Sequence, residues 1–272
     1  MIRNGPLALA FHALFIGFIV APLAIVCIVA FTPQGYIALP TDGVSLRWFV
    51  AILDNPRFIG AFWISLALGV VSSLIATALA VPAALAVARH RFPGRETIST
   101  LLLSPLMIPH IVLGVSFLRF FSTIGMNGTF AGLVTGHVIV ILPFALRLVL
   151  AAATRMDPAV ERAAVALGAS RFTVFRRITL PLLLPGIVSG WLLAFITSFD
   201  ELTMSVFIAS PSTTTLPVRM FLHIQDTIDP LVAAVSALLI FVTLVIMLAL
   251  DRLVGLERLF VGKAYGDKSG AG

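Results

Sequence analysis

Cysteine is almost missing from this chain of 272 residues. The single one, Cys27, lies inside an apolar run, which excludes an intrachain disulfide and leaves a thiolate metal site without ligands. Charge is scarce as well: 11% of the residues are charged against 60% hydrophobic, and the mean hydropathy is +1.10. A chain of this composition does not have water as its main solvent. Also lacking are a glycine-rich phosphate loop ending in lysine, paired histidines at zinc-protease spacing, and a convincing intramembrane serine–histidine pair. No catalytic residue and no metal ligand is therefore assigned, and no cofactor is expected in the chain itself.

Long apolar runs are abundant. A bilayer core of roughly 30 Å takes about 20 helical residues. Six stretches reach that length, at about 7–31, 58–88, 98–118, 129–154, 180–208 and 230–250. They are too long and too evenly apolar for barrel strands, and a backbone in lipid must satisfy its own polar groups, so all six are read as helices. The first exceeds the hydrophobic region of a signal peptide and has no persuasive cleavage site, which makes it helix one of a single transmembrane domain over 1–272. Pro22, Pro82, Pro105, Pro109, Pro143 and Pro185 fall inside these runs, as kinks that membrane helices tolerate.

The formal charge is +6, and its placement decides between nucleic acid and topology. With the N-terminus inside, thirteen of the 18 Lys and Arg gather on the inner side: Arg3, Arg89, Arg91, Arg95, Arg155, Arg162, Arg171, Arg176, Arg177, Arg252, Arg258, Lys263 and Lys268. The outer side takes only Arg47, Arg57 and Arg219, while Arg119 and Arg147 sit at helix ends and snorkel to the surfaces. This is the positive-inside pattern, so both termini are expected in the cytoplasm and no nucleic acid is expected as a partner.

The inner connection 155–179 is the most informative. Asp157 followed by Pro158 signals a helix start, Gly168 a left-handed stop and Ser170 a second cap, so the segment reads as helix, turn, helix lying along the membrane. On its second half Phe172, Phe175 and Ile178 recur at helical spacing opposite Arg171, Arg176 and Arg177, an apolar face against a cationic one.

That connection resembles the EAA loop of binding-protein-dependent importer permeases: glutamate, two alanines, three residues, glycine, nine residues, isoleucine, one residue, leucine, proline. Ala163, Ala164, Gly168, Ile178, Leu180 and Pro181 keep the spacing, while Arg162 stands at the glutamate position and Glu161 one residue before it. The likeness runs from about residue 11 to 260. It is closest to the spermidine/putrescine (PotC-like) permeases, through Pro82–Arg89 with Phe92, Gly94 and Arg95, His137 with Pro143 and Phe144, Ser198–Leu202, and Thr215–Pro217. The resemblance implies an all-α integral membrane protein of the type I (MetI-like) importer fold, six helices with a cytoplasmic coupling helix, in the lipid of a bacterial inner membrane. It implies as partners a second homologous permease subunit, an ATP-binding cassette ATPase dimer that uses ATP and Mg, and a periplasmic solute-binding protein. A polyamine is the implied solute, with amino-acid-like compounds, opines, aminoethylphosphonate and ferric iron as alternatives. If the ATPase groove uses a carboxylate, Glu161 is expected to reach it by a small rotation of the first loop helix.

Inside the expected fifth helix lie Asp200 and Glu201, where an ionised carboxylate costs at least about 2 to 3 kcal/mol at the bilayer centre. With Thr197 and Ser198 beside them, they read as a station on a cation's translocation path, as a structural ion pair with an arginine of the partner permease, or as groups nearer the outer interface. His110 and His137 are isolated in sequence and read as packed or hydrogen-bonded between helices. Gly186 and Gly190, four apart, permit close helix contact of the kind that joins permease subunits. A secondary transporter would also use buried carboxylates, but it leaves the loop spacing unexplained.

Overall fold

The computed structural model describes residues 5–254, and the regular structure in them is entirely helical. In chain order the helices are α1 (Pro6–Val29), α2 (Arg47–Leu53), α3 (Pro56–Arg89), α4 (Arg95–Leu103), α5 (His110–Thr123), α6 (Phe130–Arg155), α7 (Pro158–Ala166), α8 (Arg171–Val174), α9 (Leu180–Phe199), α10 (Ser205–Ile208), α11 (Leu216–Asp226) and α12 (Leu231–Val254), with a 3-10 turn at Ser104–Met107 and a π turn at Phe175–Thr179. Arg3, Arg258, Lys263 and Lys268, counted above toward the inner side, lie outside the described residues.

By length and composition, α1, α3, α6 and the continuous stretch Arg171–Phe199 are each able to cross a membrane, and the bent pair α4 and α5 makes up to a fifth span. α12 adds a shorter apolar stretch, Leu231–Val245. Six apolar segments are thus present, but two of the expected continuous helices are broken.

The first break falls in the segment expected as one helix over 98–118, where the chain bends by 102° between α4 and α5. Pro105 has no N–H to give the carbonyl of Leu101, and the hydroxyl of Ser104 donates to that oxygen instead, at 2.8 Å. Ile108, which precedes Pro109, is extended at φ −96 and ψ 127, as the residue before a proline prefers. The second break falls in the helix expected over 180–208: α9 closes at Phe199, and the short α10 starts only at Ser205. Here the Glu201 carboxylate accepts the backbone N–H of Met204 at 2.6 Å, so a side chain takes a donor that a continuing helix would use. The long connections 32–57 and 209–229 carry helices of their own, α2 and α11.

The residues gather into two compact units, one running to Gly60 and resuming at Arg219, the other covering Ala61–Val218. In the first, α1 and α2 each pack on α12. Leu7, Phe11, Leu14 and Phe18 of α1 remain exposed, a surface suited to lipid. In the second, the principal contact is α6 on α9. Leu68, Phe121, Leu133, Ile141, Leu146 and Met204 fill its core and are almost wholly buried.

Candidate functional site

The loop at 155–179 is built by local signals. The Asp157 carboxylate accepts the N–H of Ala159 at 2.8 Å, and Pro158 opens α7, where no N–H is needed. Gly168 takes φ +90; its N–H donates to Val165 and that of Ala169 to Ala164, the paired bonds of a Schellman stop. The Ser170 hydroxyl then accepts the N–H of Thr173 at 3.2 Å and starts α8.

Past Ser170 the structure departs from the expected interfacial helix. α8, the π turn and α9 run on as a single helical stretch from Arg171 to Phe199. Pro181 has no N–H for the carbonyl of Arg177, and the turn before it widens to π geometry. The extra residue in that turn rotates the face: Val174 and Thr179 are buried, whereas Phe172 is 71% exposed and Phe175 is exposed with Arg171, Arg176 and Arg177.

Glu161, the side chain expected to reach an ATPase groove by a small rotation of α7, is engaged here within its own chain. One carboxylate oxygen, Oε2, lies 2.5 Å from Nη1 of Arg89, the last residue of α3, and Oε1 accepts the hydroxyl of Thr179 in the π turn. These partners lie 72 residues before and 18 residues after it, separations that no sequence pattern connects. Arg162 is exposed, as are Ala163, Gly168 and Pro181, while Ala164, Ile178 and Leu180 are half-buried. Val160, Val165 and Leu167, the last 90% exposed, leave α7 and its stop with an uncovered apolar rim. Between this hairpin and the ends of α3 and α6 lies a cleft of about 840 Å³, edged by Arg89, Glu161, Arg162 and Arg171.

The acidic pair expected within helix five is divided. Asp200 caps the end of α9 and is exposed, whereas Glu201 is 6% exposed and fully engaged. Its Oε2 lies 2.7 Å from Nδ1 of His110, the first residue of α5, while Oε1 holds Met204. Its partner is thus a histidine of the same chain, and the two broken spans meet at this contact. Thr197 and Ser198 do not ring the carboxylates. The Thr197 hydroxyl donates to the Leu193 carbonyl at 2.9 Å, and Ser198 faces His137.

His137 is wholly buried, with Ser198 at 2.8 Å from Nδ1 and Ser205 at 3.0 Å from Nε2. A serine–histidine contact therefore does exist within the apolar spans, although the serines stand 61 and 68 residues away in sequence. A serine hydroxyl both donates and accepts, so each satisfies a ring nitrogen whichever carries the proton. Gly186 and Gly190 join helices of one chain, packing on Ala152, Leu148 and Ala145 of α6.

The family profile described as a binding-protein-dependent transport system inner membrane component matches residues 77–256. The chain is 30% identical over 249 residues to the spermidine/putrescine transport system permease protein PotC of Escherichia coli (strain K12), covering 92% of each. It is 34% identical over 247 residues to the putative 2-aminoethylphosphonate transport system permease protein PhnV of Salmonella paratyphi A, covering 88% of this chain and 91% of the relative. Among solved structures it is similar to a bacterial ABC transporter involved in the import of the acidic polysaccharide alginate, with a TM-score of 0.71 at 17% identity over 91% of this chain and 95% of that one. It is similar also to the inward-facing MetNI methionine ABC transporter, with a TM-score of 0.57 at 21% identity over 74% of this chain and 94% of that one. An all-helical apolar chain with this hairpin, matched over such lengths, belongs to the family of binding-protein-dependent transport system inner membrane components, the permease subunits of ABC importers.

Proposed function

We propose that this permease admits a small solute bearing a primary ammonium group, of the polyamine class, and forms half of its pathway beside a second homologous permease. A periplasmic binding protein delivers the solute. ATP and Mg are used by a separate ATPase dimer that docks on the 155–179 hairpin at the cytoplasmic face, where both termini also lie. The observation that carries the solute class is the likeness over 92% of the chain to a spermidine/putrescine permease. Another relative is named as a putative permease for 2-aminoethylphosphonate, a molecule that shares the ammonium group. The exposed carboxylate of Asp200, at a helix end beside apolar spans, offers such a cation a charge-assisted contact.

The docking surface is supported by α7, whose nine residues include none that is buried, and by the apolar rim at Val160, Val165 and Leu167. The test is uptake of labelled putrescine by cells carrying the importer with its own binding protein, with unlabelled competitors in excess. Spermidine and putrescine are expected to suppress uptake. Suppression by 2-aminoethylphosphonate alone, or no putrescine uptake at all, would move the solute out of the polyamine class.

A further inference from the structure

We propose that Glu161 is a positioning residue that clamps the docking helix to two spans at once, so that displacement of α7 is delivered to α3 and α9 together. The proposal rests on the reading of 155–179 as the ATPase dock. With no buried residue, α7 has no hydrophobic anchor, and its turns at Asp157 and Gly168 fix its ends but not its tilt. Glu161 supplies the missing attachment with both oxygens: Oε2 on Arg89 at the end of α3, Oε1 on Thr179 at the approach to α9. The other arm of the Arg89 guanidinium, Nη2, lies 3.8 Å from the sulfur of Met156, the residue that joins α6 to the hairpin. An ionised carboxylate accepts from both partners at once, and charge-assisted bonds are the stronger kind. Arg162, the next residue, is exposed and makes no ion pair among the described residues, so the attachment falls to Glu161.

The test uses the full importer in lipid nanodiscs, in a Cys27→Ser background, with nitroxides at Ala159→Cys on α7 and Leu79→Cys on α3, both exposed positions outside the apolar rim. Three quantities are read: yield of complex on a tagged ATPase, ATP hydrolysis with and without the binding protein, and the distance distribution between the labels. Glu161→Ala is expected to assemble, to broaden the distribution and to lower the stimulated component of hydrolysis about tenfold or more, the scale of one lost charge-assisted hydrogen bond. The exchange Glu161→Arg with Arg89→Glu reinstates the pair and is expected to restore both readouts. An unchanged distribution in Glu161→Ala, or a broad one with normal stimulation, would overturn the clamp. If Glu161→Ala yields no complex, the exchange decides: recovery supports the clamp, and none places the carboxylate's contact on the ATPase instead. Failure of the unsubstituted chain to bind any ATPase would overturn the docking reading, which is separately visible in the first quantity.

Discussion

Replacing Gly186 by alanine is expected to destabilise the chain more than any other single methyl group added to α9. A Cβ at this position would meet Cβ of Ala152 well inside contact distance and would sit 3.1 Å from the carbonyl oxygen of Leu148, so α6 and α9 must separate. These two helices form the main contact of their unit, and they carry Val149, Leu146 and Ala194, all buried. Overpacking of a close interface costs about 1–3 kcal/mol, read here as loss of denaturant resistance in detergent. Ala152→Gly removes the opposing methyl group and is expected to recover most of that loss in the double variant. The same substitution at Gly17, where an added Cβ meets nothing within 4 Å, is expected to leave stability unchanged. A destabilisation at Gly186 that Ala152→Gly fails to relieve would mean that the glycine serves a contact other than α6.

The second large effect concerns Glu201, and it differs from that of its neighbour. Glu201→Ala leaves the buried N–H of Met204 without its acceptor and takes from the half-buried imidazole of His110 its partner, at the point where the two broken spans meet. Leaving such groups unsatisfied costs about 1–3 kcal/mol, seen as loss of stability and of assembled importer. Glu201→Gln offers an oxygen to Met204 and an amide to His110, and is expected to keep the fold. Asp200→Asn removes an exposed charge whose carboxylate has no hydrogen-bond or ion-pair partner among the described residues, so stability is expected to persist while uptake of a cationic solute falls. Uptake unaffected by Asp200→Asn would take this residue off the pathway. Equal destabilisation by Glu201→Gln and Glu201→Ala would show that charge, not hydrogen-bond geometry, holds the junction.

What could be read directly from the sequence was what neighbouring residues decide together. The apolar runs stand out because lipid imposes length and polarity on each segment separately. The α7 hairpin stands out because Asp157, Pro158, Gly168 and Ser170 act within a turn of themselves. The prolines at 105 and 109 were visible as kinks, but the full 102° bend depends on the 3-10 turn between them and on how Ser104 satisfies Leu101. Glu201 looked like a residue inside a helix because its flanks are apolar; its capping of Met204 and its pairing with His110, 91 residues away, are tertiary facts. For the same reason Glu161 looked like a docking side chain, while its ties to Arg89 and Thr179 arise only once α3 and α9 end beside the hairpin. Gly186 and Gly190 announced a close helix contact, yet nothing local says whether the other helix belongs to the same chain.

Proteoliposomes reveal whether this chain moves solute only when an ATPase works on its hairpin, as proposed above. The importer is reconstituted with ATP sealed inside and binding protein loaded with labelled putrescine outside. Accumulation is expected to require ATP, to stop with a non-hydrolysable analogue, and to be indifferent to collapse of proton and sodium gradients. Accumulation driven by an ion gradient in vesicles that contain this chain but no ATPase would contradict that proposal.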